Sequence, residues 1–285
     1  RAQLFHPLFV TGLVFKGFSS FYKWHKDFGK PYQKMIAGRL VNKYDKVYNY
    51  RVMCEIGHLF TAMTQKEAGF KIEAKIRPII IENKEIVTWC NRFKKTSVWY
   101  NEGYTVEACA GAAAVLSKQL QACGGTIIDD NEEGHILPDD LNPLAKVEWI
   151  LLNLYQYHKI CIFTNFVHER ELIADCIDKT LMISTDNMEE FKNDNRIRFF
   201  IGSVTSYSEG YDLSKVDNCA VVLYSLTWSG KTFAQICERQ QNKLRKEPIT
   251  IYCPIIAGTQ EVNLFKAVSS KQNFNMGFLK RFGSC

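Results

Sequence analysis

Two stretches of the sequence carry the residue types with the clearest potential for chemistry. In the first, Ser203-Val-Thr-Ser-Tyr-Ser-Glu-Gly-Tyr-Asp212, small hydroxyl residues, a glycine and a carboxylate follow the apolar run 199–202. Such a run is typical of a buried strand, and ligands of open α/β sheets bind at the loops that follow the strands. The stretch therefore predicts a ligand-binding loop at the carboxyl end of a strand.

The second stretch runs from Trp228 to Arg239 and follows another apolar run, Cys219 to Tyr224. Gln235 and Arg239 are four positions apart, so in a helix both project from one face. An amide and a guanidinium on one helix face are expected to point toward the same site as the loop that begins at Ser203.

The elements that must position these residues form a regular pattern after Pro143. Strands are predicted at 159–163, 181–184, 199–202, 220–224 and 249–253, and helices at 145–157, 168–179, 188–193, 232–244 and 259–271. This alternation predicts an α/β fold with a parallel sheet covered by helices on both faces. We place a domain boundary near residue 140, between a region 1–139 and a region 140–285.

The first 140 residues give a less regular pattern. The predicted elements are a strand at 76–81, helices at 86–93 and 106–122, and a β-hairpin within 125–137. Pro78 favours an edge position for the strand, because proline cannot donate to a sheet ladder. Ile127-Ile-Asp-Asp130 resembles the acidic metal-binding strand end of a nucleotide hydrolase, but the turn residues 131–134 favour the hairpin.

Charge is concentrated at the start of a chain whose formal net charge is +6. Residues 1–50 contain nine Lys or Arg against Asp27 and Asp45, with aromatic residues interleaved. Clustered cations with aromatic side chains suit a nucleic-acid backbone. A solvated basic surface around an aromatic core accounts for the same composition, and both interpretations stay open here.

The ten cysteines show no C-x-x-C spacing, and most lie in apolar or helix-like runs. They are typical of buried, reduced thiols in an intracellular protein, and structural zinc is not expected. No apolar run approaches the ~20 residues of a membrane span. The sequence therefore predicts a cytoplasmic protein without membrane contact.

The motifs resemble the C-terminal RecA-like lobe of superfamily-2 helicases and translocases, nearest to the Swi/Snf-type branch and its phage-encoded DEAD-like relatives. The resemblance covers roughly residues 75 to 275. Lys159 to Asn165 looks like motif IV, Ser203 to Leu213 like motif V, and Trp228 to Arg239 like the approach to motif VI. It implies ATP hydrolysis with Mg²⁺, coupled to nucleic acid, DNA more than RNA.

The resemblance also implies roles for particular residues. Nucleic-acid contacts fall on Thr164, Asn165, Ser203, Thr205 and Lys146, nucleotide contacts on Gly210, Asp212 and Gln235, and catalysis on Arg239 and Arg245. The usual motif VI has a second arginine where this chain has Asn242, and Arg245 is the nearest substitute.

Each role has a structural alternative. Asp212 could cap a turn, Thr164 and Asn165 could form a plain strand-to-helix loop, Arg239 could pair with Glu238 or Asp217, and Lys146 could be solvated.

The phosphate loop G-x-x-x-x-G-K-[ST] does not occur in the 285 residues. In the family it belongs to a first lobe, so we expect truncation upstream of Arg1. The chain would then hold the last strand of that lobe at 76–82, a helical basic insertion and a complete second lobe, inactive alone. The alternative is a RecA-like module that binds nucleic acid or protein without hydrolysis. A methyltransferase is distant, because no G-x-G-x-x-G follows a strand.

Overall fold

The computed structural model describes residues 5–270 except positions 13, 16, 37, 60–66, 68, 70, 71, 73, 109, 110, 185, 186, 206–212, 214, 215, 217 and 240–247. The chain divides into two compact units, with the boundary between Ala68 and Gly69. The predicted boundary near residue 140 does not coincide with this division.

The first unit contains helices α1 (Phe5–Val10), α2 (Phe21–Phe28) and α3 (Asn49–Ile56), and strands β1 (Tyr32–Ile36) and β2 (Arg39–Lys43). Its core is built around Phe5, Trp24 and Ile56, and the side chains of Phe18 and Phe21 pack against it. Several aromatic residues of the basic region therefore stabilise this core. Strands β1 and β2 form an antiparallel hairpin.

The second unit begins with β3 (Lys75–Ile81), α4 (Lys84–Thr96), β4 (Val98–Asn101), β5 (Tyr104–Glu107), α5 (Ala112–Cys123), β6 (Thr126–Ile128) and β7 (Gly134–Ile136). It continues with α6 (Ala145–Asn153), β8 (Lys159–Thr164), α7 (Val167–Asp175), β9 (Met182–Ser184), α8 (Met188–Asn193) and β10 (Phe199–Ser203). The last elements are β11 (Cys219–Leu223), α9 (Gly230–Arg239), β12 (Thr250–Ile256) and α10, residues 260–270.

Six of these strands form a sheet in the order β3-β12-β11-β8-β10-β9, and every neighbouring pair is parallel. Alternate residues of β8 enter different cores: Ile160 and Ile162 pack with α6 and α7, whereas Cys161 and Phe163 pack with α8, α9 and α10. Helices therefore cover both faces, which confirms the predicted α/β class. Every residue of β8, β11 and β12 is buried, which explains why the sequences of these strands are nearly continuous apolar runs.

Strand β3 lies in one sheet with the strands that were predicted to form the second lobe. It was expected to end a first lobe, but it pairs in parallel with β12 along its whole length, from Lys75 with Thr250 to Ile81 with Ile256. It therefore belongs to the same sheet as β8 to β12. The predicted edge position is confirmed, because β3 is the outermost strand and carries Pro78.

The predicted helix over 106–122 begins later than expected. Val106 lies in β5, paired with Trp99 of β4, and the helix starts at Ala112. Cross-strand packing of these apolar residues outweighs the helix preference of the neighbouring alanines.

The predicted hairpin is confirmed, because Thr126 pairs with Ile136 in antiparallel register. Asp129 closes its turn, since Oδ1 accepts hydrogen bonds from the N–H groups of Asn131 and Glu133 at 2.9 Å each.

Among the cysteines, Cys161, Cys219 and Cys253 are buried as predicted. Cys176 is half-buried and Cys54 is exposed. Within the described ranges, no helix is long and apolar enough to cross a bilayer.

Candidate functional site at the carboxyl edge of the sheet

The carboxyl ends of β8, β10 and β11 lie side by side. Thr164 is the last residue of β8 and stands opposite Ser203, the last residue of β10, while Leu223 of β11 stands opposite Phe163 on the other side. The loops after these strands therefore start at one edge of the sheet. This places the end of the region predicted to be motif IV beside Ser203, the first residue of the region predicted to be motif V.

Asn165 is held at this edge by the loop that follows β11. Its backbone N–H donates to Ser225 Oγ at 2.7 Å, and its Nδ2 donates to the Ser225 carbonyl at 3.1 Å. The residue is exposed, so it is accessible to a ligand. Thr164 is only 1% exposed and its hydroxyl donates to the Phe166 carbonyl at 3.2 Å, which is the strand-to-helix loop role that the sequence left open.

The loop after β10 starts with a short hydroxyl turn. Ser203 Oγ accepts a hydrogen bond from the Thr205 N–H at 3.2 Å, and Val204 between them is buried. Ser203 is half-buried and Thr205 is exposed. Gly210 and Asp212, predicted to contact nucleotide, lie outside the described residues.

Helix α9 follows β11 and is anchored by its apolar face. Phe233 and Ile236 are buried in the core, and Gln235 between them is half-buried. Arg239 is the last residue of the helix, but the described part of the chain does not include its side chain. Arg245 and Asn242 lie outside the described residues.

The start of α9, Gly230-Lys231-Thr232, has the last three residues of a phosphate loop, but Ser225 occupies the position of the first glycine. Ser229 caps the helix instead, because its Oγ accepts a hydrogen bond from the Thr232 N–H at 3.1 Å.

The position of Lys146 argues against its predicted contact with nucleic acid. Its side chain is 1% exposed, and its ammonium lies 2.6 Å from Glu261 Oε1, which is equally buried. It also donates to the Tyr224 carbonyl at 3.1 Å. Lys146 therefore joins α6, the end of β11 and α10 from inside the protein, and no phosphate can reach it in this arrangement.

Glu169 is a buried carboxylate beneath the same edge that sequence reasoning missed. Its Oε2 accepts hydrogen bonds from the Ser225 hydroxyl at 2.6 Å and from the Phe166 N–H at 3.3 Å, while Oε1 has no partner among the described residues. Burial raises the pKa of this carboxyl to about 7, although the hydrogen bond from Ser225 and the charge of Lys146 oppose the shift. The available sequence signal was a capping box, in which a glutamate stands three residues after the helix N-cap. It is hard to recognise here because the N-cap residue is Phe166 and not Ser or Thr.

Replacing Glu169 with glutamine is expected to remove a pH dependence of stability. The folded-state pKa of about 7 is above the usual 4.5, so the folded protein binds the proton more tightly. Stability is thus full below pH 4.5 and falls by up to about 3 kcal/mol as the pH rises through 7. Urea unfolding at pH 5 and pH 8 measures this difference. E169Q should match wild type at pH 5 and exceed it at pH 8, and equal losses at both pH values would contradict the assignment.

Carboxylates that could hold a metal are grouped at the β6–β7 hairpin. One ligand atom from each of Asp129, Glu133 and His135 lies within 4.8 Å of the others. However, Asp129 already closes the turn, and His135 Nε2 lies 3.1 Å from its Oδ2 while the ring stacks on Tyr104. These contacts account for the cluster, and we assign it no metal.

No protein-family model and no curated protein matches the chain. The chain is, however, similar in structure to several solved proteins. The C-terminal part of the Fun30 ATPase domain is 13% identical with a TM-score of 0.44, over 73% of this chain and 97% of that chain. The Sulfolobus solfataricus SWI2/SNF2 ATPase core domain is 15% identical with a TM-score of 0.47, over 69% of this chain and 42% of that one. The Pyrococcus furiosus Hef helicase domain is 20% identical with a TM-score of 0.33, over 43% and 27%. These scores are too low to define a family.

Proposed function

We propose that the second unit is the C-terminal RecA-like lobe of a nucleic-acid-dependent ATPase of the helicase or translocase type. The observation that supports this most is the meeting of three loops at one sheet edge. The loops after β8 and β10 start side by side there, and the loop after β11 holds Asn165 and leads into α9. Loops at this edge are where open α/β sheets bind ligands.

Nucleic acid is the ligand that we propose for Asn165, Ser203 and Thr205. Asn165 and Thr205 are exposed and Ser203 is half-buried. Amide and hydroxyl groups of this kind hydrogen-bond to phosphate oxygens, and such contacts carry no base information. Little sequence specificity is therefore expected, and DNA is the first nucleic acid to test.

ATP hydrolysis would require a second lobe. Phosphoryl transfer needs positive charge at the transferred group, and an arginine from another lobe supplies that charge only when the lobes close. We propose Arg239 and Arg245 for this role, with Gly210, Asp212 and Gln235 at the nucleotide. Nucleic acid that favours closure would then stimulate hydrolysis, as linked equilibria require. We assign no Mg²⁺ ligand to the described residues, because their carboxylate cluster serves the hairpin turn.

The test is ATP hydrolysis by the product of the full open reading frame, measured with and without single- and double-stranded DNA or RNA. Stimulation by nucleic acid is the expected result. Nucleic-acid binding without any hydrolysis would instead support the non-hydrolysing module. Asn242 in place of the second motif VI arginine and the absence of a phosphate loop from these 285 residues favour that alternative.

Replacing Asn165 with alanine is expected to weaken nucleic-acid binding on the order of tenfold, because it removes one hydrogen bond to a phosphate oxygen. Fluorescence anisotropy with a labelled oligonucleotide measures the loss. The control is Asn263→Ala, which removes an exposed asparagine on α10. Equal affinities for the two variants would remove Asn165 from the interface.

A further inference from the structure

The hairpin of β1 and β2 in the first unit has two faces with different chemistry. Directly opposed residues share a face, and the pairs Tyr32 with Lys43, Lys34 with Val41 and Ile36 with Arg39 alternate with the pairs Gln33 with Asn42 and Met35 with Leu40. All three cations of the two strands, Lys34, Arg39 and Lys43, therefore lie on one face, which we term the basic face. The Gln33–Asn42 hydrogen bond of 3.2 Å belongs to the other face.

The basic face is exposed and carries no acidic residue. Lys34 and Arg39 are exposed, Lys43 is half-buried, and residues 32–43 contain neither Asp nor Glu. At its base, the Lys46 ammonium lies 4.2 Å from the centre of the Tyr32 ring, and the Tyr32 hydroxyl bonds to Asp45 at 3.4 Å. The carboxylate of Asp45 is accompanied by the ammonium of Lys46. The residues named on and beside the face therefore carry a net positive charge.

The three cations are spaced regularly along the hairpin. Lys43, Lys34 and Arg39 stand at the first, third and fifth pairs of the register, so each step covers two residues. A two-residue step in an antiparallel strand is about 6.8 Å. Lys43 and Arg39 are both on β2 and Lys34 lies between them on β1, so the three cations are distributed over the whole face and can each meet a different phosphate.

We propose that the basic face binds the phosphodiester backbone of a nucleic acid. The inference extends the proposed function, because it places a second contact for the same partner on a different unit of the chain. Charge complementarity favours this partner over a membrane: the most exposed apolar side chains of the hairpin, Met35 and Leu40, lie on the opposite face, and Ile36 and Val41 on the basic face are less exposed. Lys34, Arg39 and Lys43 would each neutralise one phosphate.

The test compares salt-dependent binding of labelled DNA and RNA by the full chain and by the variant K34Q/R39Q/K43Q. Three lost phosphate contacts should reduce the slope of log K against log salt by about 2 to 3, and lower affinity on the order of 10²-fold at about 0.1 M salt. The charge-matched control is K94Q/K95Q/K266Q, which removes three exposed cations of the second unit. It should change the slope less than the hairpin variant.

A second variant, K34R/K43R, keeps the charges and should bind like wild type, which separates loss of charge from damage to the hairpin. Equal slopes for wild type and K34Q/R39Q/K43Q would overturn the proposal while leaving the contacts at Asn165 intact. No binding by the wild-type chain would count against the nucleic-acid partner altogether. Binding to anionic phospholipid vesicles is measured in parallel. If K34Q/R39Q/K43Q kept nucleic-acid binding but lost vesicle binding, the face would be assigned to a membrane surface and the proposal overturned.

Discussion

Replacing Arg239 with alanine is expected to slow nucleic-acid-stimulated ATP hydrolysis by on the order of 10³-fold in the product of the full open reading frame. An arginine that enters a phosphoryl-transfer site from another lobe neutralises charge that develops only in the transition state, so kcat should fall far more than the affinity for ATP. Steady-state kinetics with saturating nucleic acid measure both quantities. Arg239 is the last residue of α9, and this helix packs on the core of the second unit through Phe233 and Ile236.

The matched control is Lys231→Ala, which removes an exposed cation from the first turn of the same helix and should leave turnover unchanged. Arg245→Ala tests the second position. A large loss for R245A and a small one for R239A would transfer the role to Arg245, and unchanged turnover in both variants would eliminate the arginine mechanism.

Replacing Lys146 with methionine is expected to lower the free energy of unfolding by about 3–5 kcal/mol, because it leaves the Glu261 carboxylate buried without its counter-ion. The ammonium and carboxylate are 2.6 Å apart and each side chain is 1% exposed. The change also removes the hydrogen bond to the Tyr224 carbonyl. Urea unfolding followed by circular dichroism gives the difference.

The chain supplies a pair for comparison in which Glu189 is exposed and Lys192 is half-buried. Lys192 lies 2.8 Å from Glu189, whose side chain is 80% exposed, and Lys192→Met should cost no more than about 1 kcal/mol. The double variant K146M/E261Q should be more stable than K146M, because it removes the uncompensated charge. Equal destabilisation of K146M and K192M would contradict the expected larger contribution of the buried Lys146–Glu261 pair to the free energy of unfolding.

The sequence was most informative where structure depends on neighbours in the chain. The strand at 159–164 is recognisable because both of its faces are buried and every residue can be apolar. The hairpin around Asp129 is recognisable because its turn residues hydrogen-bond locally. Such features leave a signal in the local sequence, and the α/β alternation after residue 143 follows from them.

The sequence was least informative about contacts between distant parts of the chain. Lys146 reads as a surface lysine at a helix start, and its partner Glu261 is separated from it by most of the second unit. The partner of β3 is β12, at the far end of the unit, so a strand that locally resembles the close of one domain is the edge of another. Glu169 became visible as a buried acid only once Ser225 was placed beside it. The proposed roles of Gly210, Asp212, Arg239 and Arg245 stay predictions.

The pairing of Lys75 with Thr250 has a consequence for biosynthesis. At roughly 5–20 residues per second, a ribosome completes β12 about ten to thirty seconds after β3. During that interval the isoleucine-rich segment Lys75–Ile81 waits without its strand partner, and such segments pair readily with other chains. Pro78 lacks an N–H group and cannot complete such a pairing, so we expect the residue that favours the sheet edge for β3 also to limit aggregation of the nascent chain.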